Sequence, residues 1–260
     1  MKTSIKFILF ASIFTGFLGP GISCADGLSD LQNALHRLQG TNSISAELEY
    51  ISVDIKGEGD GKIHTHGQVK VLLEDDEHGL RVHYSREVLE KMEQEALLKA
   101  QDEEAETKTL NAIDGITASE LHSMLSVSSS LFRVLGQAQF LQEEDTYLHG
   151  KQVRQLRFSL PIEFFISDKK IRSYVRKFKA EYLIWIGDDG TPLESRIEFS
   201  GKGRVFIFFK ISVTGSASSQ YQTVGDRLVV VHKQSASFND TSLGVFEYSE
   251  LKTLKIDRIH

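Results

Sequence analysis

The sequence predicts an α+β fold: a long, curved, mainly antiparallel β-sheet, an unclosed barrel, with an N-terminal helix and a helical insertion or lid at about 85–136. Three observations carry this. Apolar and polar residues alternate with period two through many segments, as in strands with one buried face. Gly, Asn, Asp and Ser turns join neighbouring segments, so the connections are local and the sheet antiparallel. Against this pattern stand a leucine stripe at steps of three and four near the start, and a central stretch rich in Glu, Lys, Ala and Leu.

Ahead of the domain, Lys2 and Lys6 precede an uncharged apolar run from Ile8 to Leu18, and Gly19, Pro20, Gly21, Ser23 and Ala25 follow. This is the layout of a secretory signal, with cleavage expected before Asp26. Gly21-Ile22-Ser23-Cys24 also loosely resembles a lipoprotein box, in which Cys24 would carry a lipid. The expectations are a periplasmic protein, with lipid anchoring through Cys24 as the alternative, and a single domain over 26–260. Losing Lys2 and Lys6 takes the formal charge from −6 to −8. That acidity argues against a nucleic-acid partner. Cys24 is the only cysteine, so no disulfide is expected and stability must come from a packed core.

Leu28, Leu31, Leu35 and Leu38 form one stripe of a helix that Gly40 ends. Ile44, Ala46, Leu48 and Tyr50 make a strand. The apolar phase then flips to Ile51, Val53 and Ile55, which reads as a bulge. Gly57 to Gly61 turns the chain into a second strand, with Val69, Val71 and Leu73 on one face and His64, His66, Gln68 and Lys70 on the other. A third runs over Leu80–Tyr84. From Ser85 to about Thr109, Glu87/Lys91, Glu95/Lys99 and Glu104/Lys108 are spaced as helix ion pairs. A further helix starts at a capping box, Thr117 with Glu120, and continues to Gly136. Then come a hairpin across His149-Gly150, another across Asp188 to Pro192, and strands at Arg204–Thr214, Leu228–Phe238 and Gly244–Ile256. Gly201-Lys202-Gly203 reads as a turn, and Val205 to Phe209 as strand apolar on both faces.

The exported start, the Leu28–Leu38 helix, the bulged Ile44–Ile55 strand and the stretch Leu183-Ile184-Trp185-Ile186-Gly187-Asp188-Asp189-Gly190-Thr191-Pro192-Leu193 together resemble the periplasmic lipoprotein-carrier fold of the LolA/LolB type. The resemblance implies a half-barrel whose concave apolar face holds acyl chains under a helical lid. It implies a cavity lined by Leu48, Tyr50, Val69, Val71, Leu156, Phe158, Trp185, Phe206 and Phe208. Burial of cargo there gains about 0.8 kcal/mol per methylene without a catalytic group. The segment 85–135 is longer than a simple carrier needs.

Other constellations are weaker. His64 and His66 share a strand face, but spacing fixes no third zinc ligand, although Asp60, His78 and His83 are near in sequence. Lys169 to Lys179 carries a run of positive charge, read as an edge strand with Arg172, Tyr174, Arg176 and Phe178 on one face. Arg172, Arg176 and Lys177 are its candidates for a lipid headgroup, a membrane surface or an acidic partner. No nucleophile elbow or phosphate-cradling loop is present, so no catalytic residue, cofactor or enzymatic activity is assigned. The function expected is non-enzymatic binding or carriage of a lipid or acyl chain. The alternative is an interaction module that docks an envelope protein through the helical insertion or the basic strand.

Overall fold

The computed structural model describes residues 26–205, 209–242 and 244–259. The targeting segment, with Cys24 and Ala25, lies outside them, as do Phe206 and Phe208. The chain runs α1 (Gly27–Arg37), β1 (Ile44–Lys56), β2 (Ile63–Asp76), β3 (Gly79–His83), α2 (Arg86–Gln101), α3 (Lys108–Asp114), α4 (Ala118–Leu125), α5 (Ser128–Leu135), β4 (Gln139–Leu148) and β5 (Lys151–Ser159). It continues α6 (Ile162–Phe165), α7 (Lys169–Tyr174), β6 (Val175–Ile186), β7 (Pro192–Val205), β8 (Phe209–Val224), β9 (Arg227–Thr241) and β10 (Gly244–Ile259).

All ten strands join one antiparallel sheet in the order β3-β2-β1-β10-β9-β8-β7-β6-β5-β4, and the edges β3 and β4 do not meet. The order explains the helical insertion. β3 and β4 are consecutive in sequence but lie at opposite edges, so the chain between them must cross the whole sheet. It does so over one face: α3 packs on β2, α4 on β9, and α5 beside α1. The sheet is curved toward these helices. Asp75 on β2 and Arg227 on β9 form a buried ion pair although two strands lie between them. In a flat sheet three spacings would hold those backbones roughly 14 Å apart, beyond such a contact.

The inner face is identified by register. Leu48 opposes Val71 and Leu254, and Tyr50 opposes Val69 and Lys252. The apolar ones among them, with Leu31, Leu35, Leu121, Leu125, Leu156 and Ile184, form the core, all at 4% exposure or less. Each such aliphatic side chain contributes roughly 1.5–3 kcal/mol relative to exposure.

On β1 and β9 the helices cover only half the strand length, whereas α6 and α7 reach β6 and β7 further along, where Phe165 meets Phe178 and Phe199 on the inner face. On β1 burial alternates as far as Tyr50 and is then partial at every position from Ile51 to Ile55. On β9, Arg227–Val230 are fully buried, and the remainder alternates between half-buried and exposed. Hence the expected bulge after Tyr50 is absent: β1 pairs residue for residue with β2 across Tyr50 and Ile51, and its register shift lies at Ser45/Ala46 against β10. The two apolar phases serve two faces, Tyr50 the inner one and Ile51, Val53 and Ile55 the outer.

Three other expectations are corrected. The helix from Thr117 to Gly136 is two, broken at Ser126 and Val127; the Val127 N–H donates to the Leu228 carbonyl of β9, and the Ser128 hydroxyl to Leu38 O. Gly201 to Gly203 is strand, not turn. A Cβ at Gly203 would lie 2.3 Å from the Tyr174 carbonyl, so glycine serves a close backbone approach there. The basic run is not one edge strand. Asp168 accepts the N–H groups of Lys170 and Ile171 at 2.7 and 3.0 Å, which starts α7, and extended backbone begins only at Val175. β6 then lies between β5 and β7, although β5 pairs only with Glu181–Ile186, leaving Val175–Lys179 with one free flank.

Candidate functional site

Among the described residues, the expected cavity lining is packed core or lies on the other face. Leu48, Tyr50, Val69, Val71, Leu156 and Phe158 share the inner face but belong to the packed core, at 0–4% exposure. Trp185 lies on the other face, since Tyr182, Ile184 and Ile186 occupy the buried phase of β6. Its indole N–H meets the Gln155 carbonyl at 2.9 Å when that carboxamide turns its nitrogen to Glu144.

At the boundary between the covered and bare halves lies a feature that sequence reasoning missed. Lys252 of β10 is 1% exposed. Its ammonium donates to Glu120 Oε2 at 2.7 Å and Glu250 Oε2 at 2.8 Å, and sits 4.5 Å above the Tyr50 ring centre. Lys233 donates to the other Glu120 oxygen at 2.5 Å, and Ser235 to the other Glu250 oxygen at 2.9 Å. The Tyr248 hydroxyl donates to Glu250 at 3.0 Å and meets that of Tyr50 at 3.2 Å. Register places these groups together: Lys252 opposes Tyr50 and Lys233, and Glu250 opposes Ser235. Glu120 arrives from α4. The Thr117 hydroxyl accepts the Glu120 N–H at 3.3 Å, as a capping box requires, but the Glu120 side chain points into the sheet instead of back to the cap.

Burial opposes the charge on Lys252, but the two carboxylates outweigh it and hold its pKa above the usual lysine value. Burial opposes ionisation of Glu250 too, yet Lys252, Ser235 and Lys233 hold its carboxyl below the ordinary range. Tyr248 is pushed up, first by burial, then by its contacts with Tyr50 and Glu250. The cluster is an ionic clamp fixing α4 to β9 and β10. Its sequence signal was the phase of β10: Glu250 and Lys252 fall on the same face as Leu254.

Beyond the clamp the bare half of the sheet carries a depression of about 530 Å³ crossing β7 to β10 and β1. Val53, Ile55, Ala236 and Phe238 line it and face the outer side by register; Glu247 stands between Phe238 and Ile55 on the same face, with Thr214 and Ser216 beside Phe238 and Ala236 and Glu198 at the β7 edge. Phe238 is 43% exposed. Sequence pattern could flag Ile51 to Ile55 as a second apolar face, but not the strand partners that extend it.

Of the headgroup candidates, Arg172 is spent locally: it donates to the Ile166 and Ser167 carbonyls at 2.8 and 2.7 Å and pairs with Glu163. Arg176 and Lys177 instead line a depression with Lys202, Arg204 and Lys210. His64 and His66 share a face with ring centres 6.4 Å apart, but among the described residues they gain no third ligand, and His83 turns to Glu74. Among the described residues no helix is long and apolar enough to cross a membrane.

No family model, no curated protein and no solved structure matches this chain.

Proposed function

We propose that the protein is a non-enzymatic binding or carrier protein of the cell envelope, and that its cargo is an apolar chain held on the bare half of the sheet. The observation that carries this is the outer-face depression lined by Val53, Ile55, Ala236 and Phe238. Its volume lies within the ordinary range of small-molecule sites. Placing cargo there departs from the lipoprotein-carrier likeness, in which the lid-covered face holds it.

The test is uptake of N-phenyl-1-naphthylamine, a neutral apolar dye, by wild type and Phe238→Thr. At about 25 cal/mol per Å² of apolar surface, losing the Phe238 contact weakens uptake roughly tenfold or more. The exposed position leaves the melting temperature within a few degrees of wild type. Equal uptake by both proteins, or none by either, counts against the depression as the cargo site.

A second reading has its own observation. α2 buries none of its residues and exposes Leu89, Leu97 and Leu98, each at least half uncovered. That surface suits docking of an envelope protein.

A further inference from the structure

The bare end of the sheet carries a concentration of charge that the fold does not neutralise. Arg176, Lys177, Lys202, Arg204 and Lys210 line one depression of about 540 Å³, with Asp240 as its acid. All five are exposed, and among the described residues none forms an ion pair with a carboxylate. Their placement is costly. Lys177 lies directly opposite Lys202, and Arg204 directly opposite Lys210. Like charges facing each other across a strand pair destabilise it. A register shift between Val175 and Lys177 sets Arg176 in a bulge, a device that re-aims a side chain, here into the same depression.

The patch has an apolar neighbour. Ser212 opposes Asp240, and one pair further along the same face Thr214 opposes Phe238, so the cations run directly into the cargo depression. Cations beside apolar surface match a layer of anionic headgroups over acyl chains better than they match a uniformly charged polymer.

We infer that this end of the sheet is a docking surface for an anionic lipid bilayer, with Arg176, Lys177, Lys202, Arg204 and Lys210 as its headgroup contacts. The inference extends the carrier reading, because docking there sets the mouth of the cargo depression against the membrane. The two fail separately: dye uptake reports the depression, vesicle binding the patch.

The experiment is co-sedimentation of protein starting at Asp26, which contains every described element and excludes any lipid on Cys24. The vesicles are phosphatidylcholine alone, or phosphatidylcholine with 30% phosphatidylglycerol. The expected result is binding to the phosphatidylglycerol vesicles at low salt. Half-molar salt, where screening shortens to a few ångströms, should release it. Lys202→Gln/Arg204→Gln should lower partitioning about thirtyfold. Lys151→Gln/Lys255→Gln, which removes two exposed cations elsewhere, should leave it unchanged. Equal binding to the neutral vesicles, an equal loss in the control variant, or capture of polyglutamate without any vesicle binding would each overturn the proposal.

Discussion

Lys252 shows how a side chain that reads as surface in sequence becomes interior. Taken alone, Glu250-Leu251-Lys252 is an ordinary polar stretch, and Glu120 lies 132 positions away. Once β10 is placed between β1 and β9, the phase that buries Leu254 also buries Lys252, and the charge must be met. Removing one partner of a buried pair strands the other, at a cost of about 3–5 kcal/mol. Lys252→Met should therefore lose about 3 kcal/mol at neutral pH, since Lys233 still serves Glu120. The pH dependence follows from the shifts. Glu250, with its folded pKa lowered, stabilises above the ordinary carboxylate value and loses that contribution as pH falls through the lowered one. Lys252, with its pKa raised, stabilises below the ordinary lysine value and loses that contribution as pH rises through the raised one. Urea melts from pH 3 to 11 should show the gap between wild type and Lys252→Met widest at neutral pH and narrowing at both ends. A gap below about 1 kcal/mol throughout would remove the clamp.

At the scale of elements, local signals sufficed where each segment settles its own conformation. The α1 leucine stripe, the His149-Gly150 turn and the alternation of β2 all appear where the pattern places them, with His149 and Gly150 at φ 50° and 80°. Local signals failed where a distant partner decides. The α4–α5 break serves the Leu228 and Leu38 carbonyls, and Gly203 serves the Tyr174 backbone. Of the three spaced ion pairs, Glu87/Lys91 forms at 2.7 Å, whereas Glu95 accepts the Thr109 and Leu110 N–H groups and so joins α2 to the start of α3. That tether holds α2 while leaving its leucines bare, which makes the helix testable by itself. Leu89→Glu/Leu97→Glu should keep stability within about 0.5 kcal/mol, as surface substitutions do. If α2 docks an envelope protein, in-cell cross-linking should lose the adduct that wild type forms, with dye uptake unchanged. An adduct surviving the substitution would leave the second reading without its surface.

At the scale of the whole molecule, β1 and β9 are covered over half their length and bare over the rest, with the clamp at the boundary. Fold class and the individual strands were legible because period-two patterning is read one strand at a time. The closing pair β1–β10, which joins chain ends about 200 residues apart, was not, because no local pattern names a strand's partner. The same blindness hid both surface depressions, each assembled from several strands. This division of the molecule predicts a division of stability. Amides of Ile44–Tyr50 and Leu228–Val230 lie against helices and a core without exposed apolar surface, so they should exchange only through global unfolding. Those of Val53–Lys56, Phe238–Thr241 and Phe246–Ser249 have the same ladder bonds but little packing on either face, so sub-global openings should release them first. Hydrogen exchange followed by mass spectrometry should therefore find a break in protection near Tyr50 on β1 and Lys252 on β10, not a gradual fraying from the strand ends. In Lys252→Met that break should move toward the covered half, because the groups that hold α4 to the boundary are the ones removed. Uniform protection along β1 and β10 in the wild type would mean that the bare half is held by something other than its own ladder.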